Sequence, residues 1–376
     1  MTSKRILWSL LAPVSAVLFA MLVSSLALVL INQSPGSAFK SMFNYSIYDP
    51  NAGGFQTASL ISIVNRSIPL YISGLAVAIG FKMNLFNIGV EGQYRLAALL
   101  AAYVGGAVAL PAPLHVALIL VVAMAVGSVW SGIAGVLKVT RGVHEVISTI
   151  MLNFIAFGLG QYLFANYLQA PRAPNDLIIR TKQIPPSGRF PSFLNLGGSG
   201  EPLRGFLVIA VLLGIAFYIL VWRTRFGYDL RASGLNPDAA RVSGVDPNGM
   251  VVKTMLISGG IAGLVGMSDL LGFFNQYSLD FPSGYGFAGI AVALVGRNNP
   301  FGIAIGALLF GFLDRSAQIL DFNDIPREII IIMQGVIILS VVVAYEVVRR
   351  VIQAQQVRAA AEKSKEIARE MGEVQP

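Results

Sequence analysis

The sequence predicts an all-α, polytopic membrane protein with about ten membrane segments. Its residues are 55% hydrophobic and only 12% charged, with a mean hydropathy of +0.69, whereas globular chains carry about a quarter charged residues. Several uncharged stretches reach the roughly 20 residues that a helix needs to cross the hydrocarbon layer. These apolar runs are continuous and do not alternate as barrel strands would, so helices are predicted.

The apolar stretches divide into ten segments whose boundaries are loose by several residues. The first is interpreted as a retained span rather than a signal peptide, because its apolar run reaches Ile31, beyond the roughly 7–15 residues of a signal-peptide core. The eighth is too short to span comfortably, so it is expected to be re-entrant or enclosed by the bundle. The segments lie near 6–31, 58–80, 88–110, 114–137, 145–168, 205–222, 254–276, 284–296, 300–319 and 328–348.

The distribution of lysine and arginine predicts that both termini face the cytoplasm. In that orientation the cytoplasmic connections and tail hold 17 of the 27 basic residues and the outer connections hold 7, as basic residues concentrate on the cytoplasmic side. The outer loop 169–204 and the cytoplasmic loop 223–253 with its flanks carry equal numbers of basic residues, so these two loops do not favour either orientation. The predicted orientation therefore depends on the basic residues Lys4, Arg5, Lys138, Arg141, Arg349 and Arg350.

This asymmetry also explains the net charge of +8 without any nucleic-acid partner. Residues 1–350 are expected to form the transmembrane domain. Residues 351–376, rich in Ala, Glu, Lys and Arg, are expected to form a cytoplasmic helical tail, with a contact to lipid or to a partner as the alternative.

The residues needed for common enzymatic sites are missing from the sequence. It contains no cysteine and only two histidines, and His144-Glu145 begins HEVIS rather than H-E-x-x-H. No Gly-Lys dipeptide exists, so a Walker A loop is absent. We therefore expect no catalytic residues, no metal site and no ATPase site in this chain.

The motif GYGFAG matches the dinucleotide-binding pattern G-x-G-x-x-G, but it lies between YSLDFPS and an apolar segment. The nucleotide-binding pattern requires a strand before it and a helix after it. Its glycines, Gly284, Gly286 and Gly289, are instead expected to allow a tight turn and close backbone approach at the short eighth segment.

Charged residues inside apolar segments are costly and often functional. Arg66, Arg95, Asp314 and Arg315 lie in such segments, together with the acids Glu91 and Asp269. Glu91 and Arg95 stand one helical turn apart and could neutralise each other. Both structural pairing and a role along a solute path remain open for these groups.

Uncharged amides and aromatic rings are better candidates for lining a path for a neutral, hydrogen-bonding, partly planar solute. Hydrogen bonds between helices are an equal alternative for any single amide. With the two acids, the path candidates are Asn84, Phe86, Asn87, Glu91, Gln93, Asn153, Phe154 and Asp269.

Small residues at intervals of four predict close helix packing inside the membrane. The series are Gly127, Ser131 and Gly135; Gly259 and Gly263; and Gly302 and Gly306.

Three stretches together resemble the permease subunits of bacterial ABC importers for nucleosides and simple sugars. They are FKMNLFNIGVEGQ at 81–93, EVISTIMLNFIA at 145–156 and GYGFAGIAVALVGRNNPFG at 284–302. This group is related to the ribose and branched-chain amino acid permeases, and the likeness covers roughly residues 58–345. It implies a ten-helix permease in the bacterial inner membrane.

The resemblance also implies the partners of this chain. These are a second, similar permease, an ATP-binding subunit with two nucleotide domains that holds ATP and Mg²⁺, membrane lipid, and a basic-membrane-protein-type lipoprotein that delivers solute from outside.

The polar insert RASGLNPDAARVSGVDPNG at 231–249 is similar to the cytoplasmic loop of importer permeases, which reads Glu-Ala-Ala, three residues, Gly. Asp replaces Glu here, and the family's later Ile-x-Leu-Pro ending is missing. Asn236 is expected to cap a short helix that Pro237 and Asp238 begin, and Gly244 to end it. The resemblance implies coupling to the ATPase through Asn236, Pro237, Asp238, Ala239, Ala240, Arg241 and Gly244, in the loop around 236–246.

A secondary transporter driven by an ion gradient is the alternative function. Lone acids such as Glu91 and Asp269 could bind protons or sodium, and inverted repeats would be expected. Both halves contain Ile-Ser-Gly, at 72–74 and 257–259, although three residues match easily by chance.

Overall fold

The computed structural model of the protein describes residues 18–50, 54–171, 178–194, 201–322, 325–326, 328–340 and 343. Residues 39–323 form one compact unit, and residues 1–38 with 324–376 form a second. Lys4, Arg5, the start of the first predicted segment and the predicted tail 351–376 lie outside the described residues. All candidate functional residues belong to the larger unit.

The described chain is mostly helical. It also contains two short antiparallel strand pairs, β1 (Tyr48–Asp49) with β2 (Gly54–Phe55) and β3 (Ser192–Leu194) with β4 (Leu203–Arg204), and one 3-10 turn at Pro186–Gly188. The helices are α1 (Leu18–Leu30), α2 (Pro35–Ser46), α3 (Thr57–Lys82), α4 (Val90–Ala107), α5 (Ala112–Arg141), α6 (Glu145–Leu163), α7 (Phe206–Arg223), α8 (Arg225–Leu235), α9 (Pro237–Val242), α10 (Pro247–Gly263), α11 (Met267–Asp269), α12 (Tyr285–Val295), α13 (Pro300–Asp321) and α14 (Glu328–Ser340). Single π-helical turns extend α6 over Phe164–Leu168 and α11 over Leu270–Phe274.

Several of these helices are long and apolar enough to cross a membrane. Within the described residues there are six, or seven if the bent pair α1 and α2 is one span. α12 and α14 are shorter apolar helices, and α4, which carries Glu91 and Arg95, is not among the six. The polytopic helical class is thus confirmed, while the count of ten spans and the orientation stay predictions.

α3 is the central helix of the larger unit. It packs against α7, α10, α12 and α13, and residues such as Ile72, Leu75 and Ile79 are fully buried. A helix surrounded by other helices needs apolar or small residues on every face, which explains the composition of this segment.

The close helix packing predicted from small residues is confirmed where α5 meets α10. A Cβ atom added at Gly127 would collide with the backbone of Gly259 and Gly263. Likewise, a Cβ at Gly302 would collide with the backbone of Gly296. The backbones of α5 and α10 therefore touch directly at Gly127, as do the backbones at Gly296 and Gly302.

The seventh predicted segment begins earlier than the sequence suggested. α10 starts at Pro247 rather than near 254, because the Asp246 carboxylate accepts a hydrogen bond from the Asn248 amide at 3.1 Å and Pro247 occupies the first turn. The polar loop 223–253 is consequently mostly helical, with α8 and α9 inside it.

Candidate functional site

The short helix expected in the polar loop is confirmed as α9, Pro237–Val242. The Asn236 side chain accepts hydrogen bonds from the amides of Asp238 and Ala239, both at 3.1 Å. Gly244 follows in the left-handed conformation, with φ of +82°, which suits a helix end. Arg241 pairs with Asp238 at 3.4 Å across an exposed surface, where such a pair adds little stability.

The exposed surface of this loop includes two large apolar side chains that the sequence analysis did not single out. Leu235 is 88% exposed and Val242 is 91% exposed. Ala240 is buried, so of the two alanines only Ala239 is exposed and available to a partner. The presence of these apolar residues in an otherwise polar sequence was the feature from which a docking surface could have been predicted.

The Glu91 carboxylate holds the start of the short helix α12. It accepts hydrogen bonds from the amides of Gly284 and Gly286, both at 2.8 Å, and from the Tyr94 hydroxyl at 2.9 Å. Pairing with Arg95, one of the two alternatives left open by the sequence, is not formed, since no ion pair joins these two described residues. A carboxylate at a helix N-terminus satisfies free amides and matches the positive end of the helix dipole.

The three glycines of GYGFAG have the roles expected of them. Gly284 adopts φ of +93°, a conformation that favours glycine. A Cβ at Gly286 would collide with the Glu91 backbone, and one at Gly289 with Ser73 of α3. α12 has 11 residues, about 16 Å of helix, roughly half the hydrocarbon thickness.

Three of the amides proposed for the path are buried and bonded to other parts of the protein. The Asn87 side chain donates to Gln93 at 3.1 Å and to Ser258 at 2.9 Å. Asn153 of α6 accepts from the Gly92 amide at 2.8 Å and donates to the Ile88 carbonyl at 2.9 Å. These contacts fix the start of α4 against α6 and α10.

The other uncharged path candidates are exposed. Asn84 has a positive φ of 57° in the turn after α3, and Phe86 beside it is 41% exposed. Phe154 on α6 is 66% exposed. The eight candidates thus divide into three exposed residues and five that are buried and bonded to the protein.

The fifth buried candidate, Asp269, pairs with Arg204 of β4, which also lies over the Phe273 ring at 5.2 Å. From the sequence, Arg204 could be assigned only as a basic residue of the outer loop. Its pairing with Asp269 could not be predicted, because the two residues are 65 positions apart and no periodic pattern links them. Among the described residues, no three His, Asp or Glu side chains are grouped as metal ligands.

Comparisons with known proteins agree with this architecture. Residues 59–342 match the family described as branched-chain amino acid transport system / permease component. The chain is 34% identical to the guanosine ABC transporter permease protein NupP of Bacillus subtilis, over 90% of this chain and 94% of that protein. No solved structure matches the chain.

Two further relatives are similar over most of their length. The glucose ABC transporter permease protein TsgB13 of Haloferax volcanii is 31% identical, over 88% of this chain and 86% of that protein. The nucleoside ABC transporter permease protein NupB of Lactococcus lactis is 28% identical, over 96% and 97%. The family match and these relatives show that the chain belongs to the branched-chain amino acid transport permease family and is a multi-pass ABC transporter permease of the cell membrane.

Proposed function

We propose that this chain forms the translocation path of an ATP-driven importer for a nucleoside or a simple sugar, and that separate ATPase subunits drive it through α9. The observation that carries the proposal is α9 itself, a capped helix that exposes Val242 between long apolar helices. Relatives named as guanosine, nucleoside and glucose permeases support this solute range.

The partners follow from the same proposal. A second, homologous permease completes the path, an ATP-binding subunit with two nucleotide domains binds ATP and Mg²⁺, and an extracytoplasmic lipoprotein delivers the solute. ATP binding closes the nucleotide domains and moves α9, which shifts the bundle between outward and inward access. Such a shift requires that the partner bind the two states with different affinity.

Within the path, the exposed residues Asn84, Phe86 and Phe154 are proposed to meet the solute. The buried candidates Asn87, Gln93, Asn153, Glu91 and Asp269 are proposed to hold the surrounding helices in place. Their side-chain bonds to other parts of the protein support this division.

The alternative, an ion-gradient carrier, has less support. Glu91 is occupied by the amides of α12 and by Tyr94, and Asp269 is paired with Arg204. A carrier acid must exchange its proton or sodium ion with water during each cycle, and both acids are only 2–3% exposed.

The coupling role of α9 is tested by Val242→Asp in the complete transporter reconstituted in liposomes. A carboxylate in place of this exposed apolar side chain would lose its hydration on docking without gaining a partner, so we expect solute uptake to fall about tenfold or more. ATP hydrolysis should no longer respond to the loaded lipoprotein.

The matched control is Phe322→Asp, since Phe322 is 90% exposed at the end of α13 and, in the predicted orientation, lies on the opposite side of the membrane. It should leave uptake near the unmodified level. Normal uptake by Val242→Asp in an assembled complex would refute the coupling role.

A further inference from the structure

A cavity of about 210 Å³ lies between α4, α6 and the segment that follows the π-helical turn Leu270–Phe274. Its polar groups are Arg95, Gln161 and Tyr277, and its aromatic walls are Phe157 and Phe164. Arg95 is the sixth of the 18 residues of α4, about 18 Å from its C-terminal end at 1.5 Å per residue. Arg95 therefore lies within the apolar segment and away from its C-terminal end, and the cavity that it lines is open beside the exposed Gln161.

Arg95 is a charged residue within an apolar segment, and it has no carboxylate partner among the described residues. Glu91, one turn away, is bonded to the amides of α12, and no described acid lies within ion-pair distance of Arg95. Its guanidinium instead lies 5.2 Å from the centre of the Phe157 ring, and Arg95 lines the same cavity as Tyr277. A charge at this depth that lines a cavity is characteristic of a solute pathway.

The groups around the cavity define the chemistry of a ligand. A guanidinium offers a planar fork of donors that fits two neighbouring acceptors, and aromatic walls favour a flat ring. The O6 and N7 atoms of a 6-oxopurine form such a pair of acceptors, and bidentate contacts from arginine to them are common. Adenine presents a donor instead of an acceptor at position 6.

The size of the cavity and its open side limit how much of the ligand it holds. Pockets for whole small molecules usually measure about 300–1,000 Å³, so this one suits the base rather than an entire nucleoside. Gln161 and its neighbour Tyr162 are exposed on α6, which leaves a polar edge for sugar hydroxyls outside the cavity.

We propose that this cavity binds the base of a 6-oxopurine nucleoside during its passage, with Arg95 donating hydrogen bonds to O6 and N7. The inference rests on the proposed function and narrows its solute class. Aromatic contact with Phe157 and Phe164 holds the ring, and Tyr277 orients the guanidinium.

The test uses the complete transporter with its lipoprotein in liposomes and compares uptake of labelled inosine with that of labelled adenosine. Each variant is expressed as a ratio to the unmodified protein, so that selection by the lipoprotein cancels. Arg95→Gln should lower inosine uptake by about tenfold or more, because a bidentate contact is lost, and adenosine uptake by less than about threefold.

Two glycines of α6 supply a test that leaves the charge in place. Gly160 lines the cavity, and an added Cβ would make ordinary contacts with Leu99 and Leu96 at 3.8 and 3.9 Å. Gly158, two residues away, has no atom within 4 Å of its added Cβ. Gly160→Leu should fill the cavity and reduce uptake of both nucleosides, while Gly158→Leu should leave both near normal.

The outcomes separate this inference from the proposed function. Equal loss of inosine and adenosine uptake in Arg95→Gln, or equal behaviour of the two glycine variants, would overturn the assignment of the cavity. ATP-dependent uptake of a sugar but of neither purine nucleoside would also overturn it, and would leave the importer function intact. If Arg95→Gln does not assemble, the glycine pair decides.

Discussion

At the scale of single residues, Glu91 shows how one side chain can serve a role different from the one its position suggests. Its place in an apolar segment indicated either a partner for Arg95 or a solute contact. In the structure both carboxylate oxygens accept amide hydrogen bonds from α12, 193 and 195 positions further along the chain. Glu91 therefore fixes the depth at which α12 begins.

Removing this carboxylate should destabilise the protein. Hydrogen bonds to a charged group are worth about 1.5–3 kcal/mol each, so Glu91→Ala should lower the free energy of unfolding by about 3 kcal/mol or more. Glu91→Gln should lower it less, because one acceptor oxygen remains. The measurement is equilibrium unfolding of the purified protein in mixed detergent micelles.

Asp238→Ala is the control for this experiment, because the Asp238 side chain is 90% exposed in its pair with Arg241. Its loss should change the free energy of unfolding by less than about 1 kcal/mol. Equal stability of Glu91→Ala and the unmodified protein would contradict the role given to Glu91.

At the scale of helices, the larger unit contains two kinds of element. α5 and α10 are long helices joined by close packing of small residues. α9 and α12 are short helices, each fixed at its N-terminal end by a side chain, Asn236 in one case and Glu91 in the other. Short helices gain little stability from their own backbone bonds, so their positions depend on these contacts.

The packing of α5 on α10 predicts the effect of a single methyl group. Gly127→Ala would place a Cβ against the backbone of Gly259 and Gly263, and overpacking of this kind typically costs about 1–3 kcal/mol. We expect a lower unfolding temperature in detergent. Gly158→Ala, in open space on α6, should change it little, and equal melting of the two variants would refute direct backbone contact.

At the scale of the whole molecule, the sequence predicts local features better than long-range ones. Asn236, Pro237 and Gly244 place α9 correctly, because capping depends on neighbouring residues. The GYGFAG glycines also revealed a close approach. Their partner Glu91 and the Arg204–Asp269 pair could not be found, because contacts 65 to 195 positions apart leave no periodicity in a sequence.

The start of α10 was misplaced for a different reason. Hydropathy detects where a helix enters the apolar layer, whereas the helix itself begins at the Asp246 cap, in polar sequence. The same reason explains why α8 was not predicted within the loop 223–253.

The central claim is that this permease moves solute only when ATP hydrolysis in partner subunits drives it. Accumulation of labelled inosine and glucose in sealed liposomes tests it most directly, with the complete transporter in one set and the purified chain alone in another. The complete transporter should accumulate at least one of the two solutes when ATP is supplied, with or without an uncoupler, and the chain alone should accumulate neither. Accumulation by the chain alone, driven by an ion gradient without nucleotide, would contradict the claim.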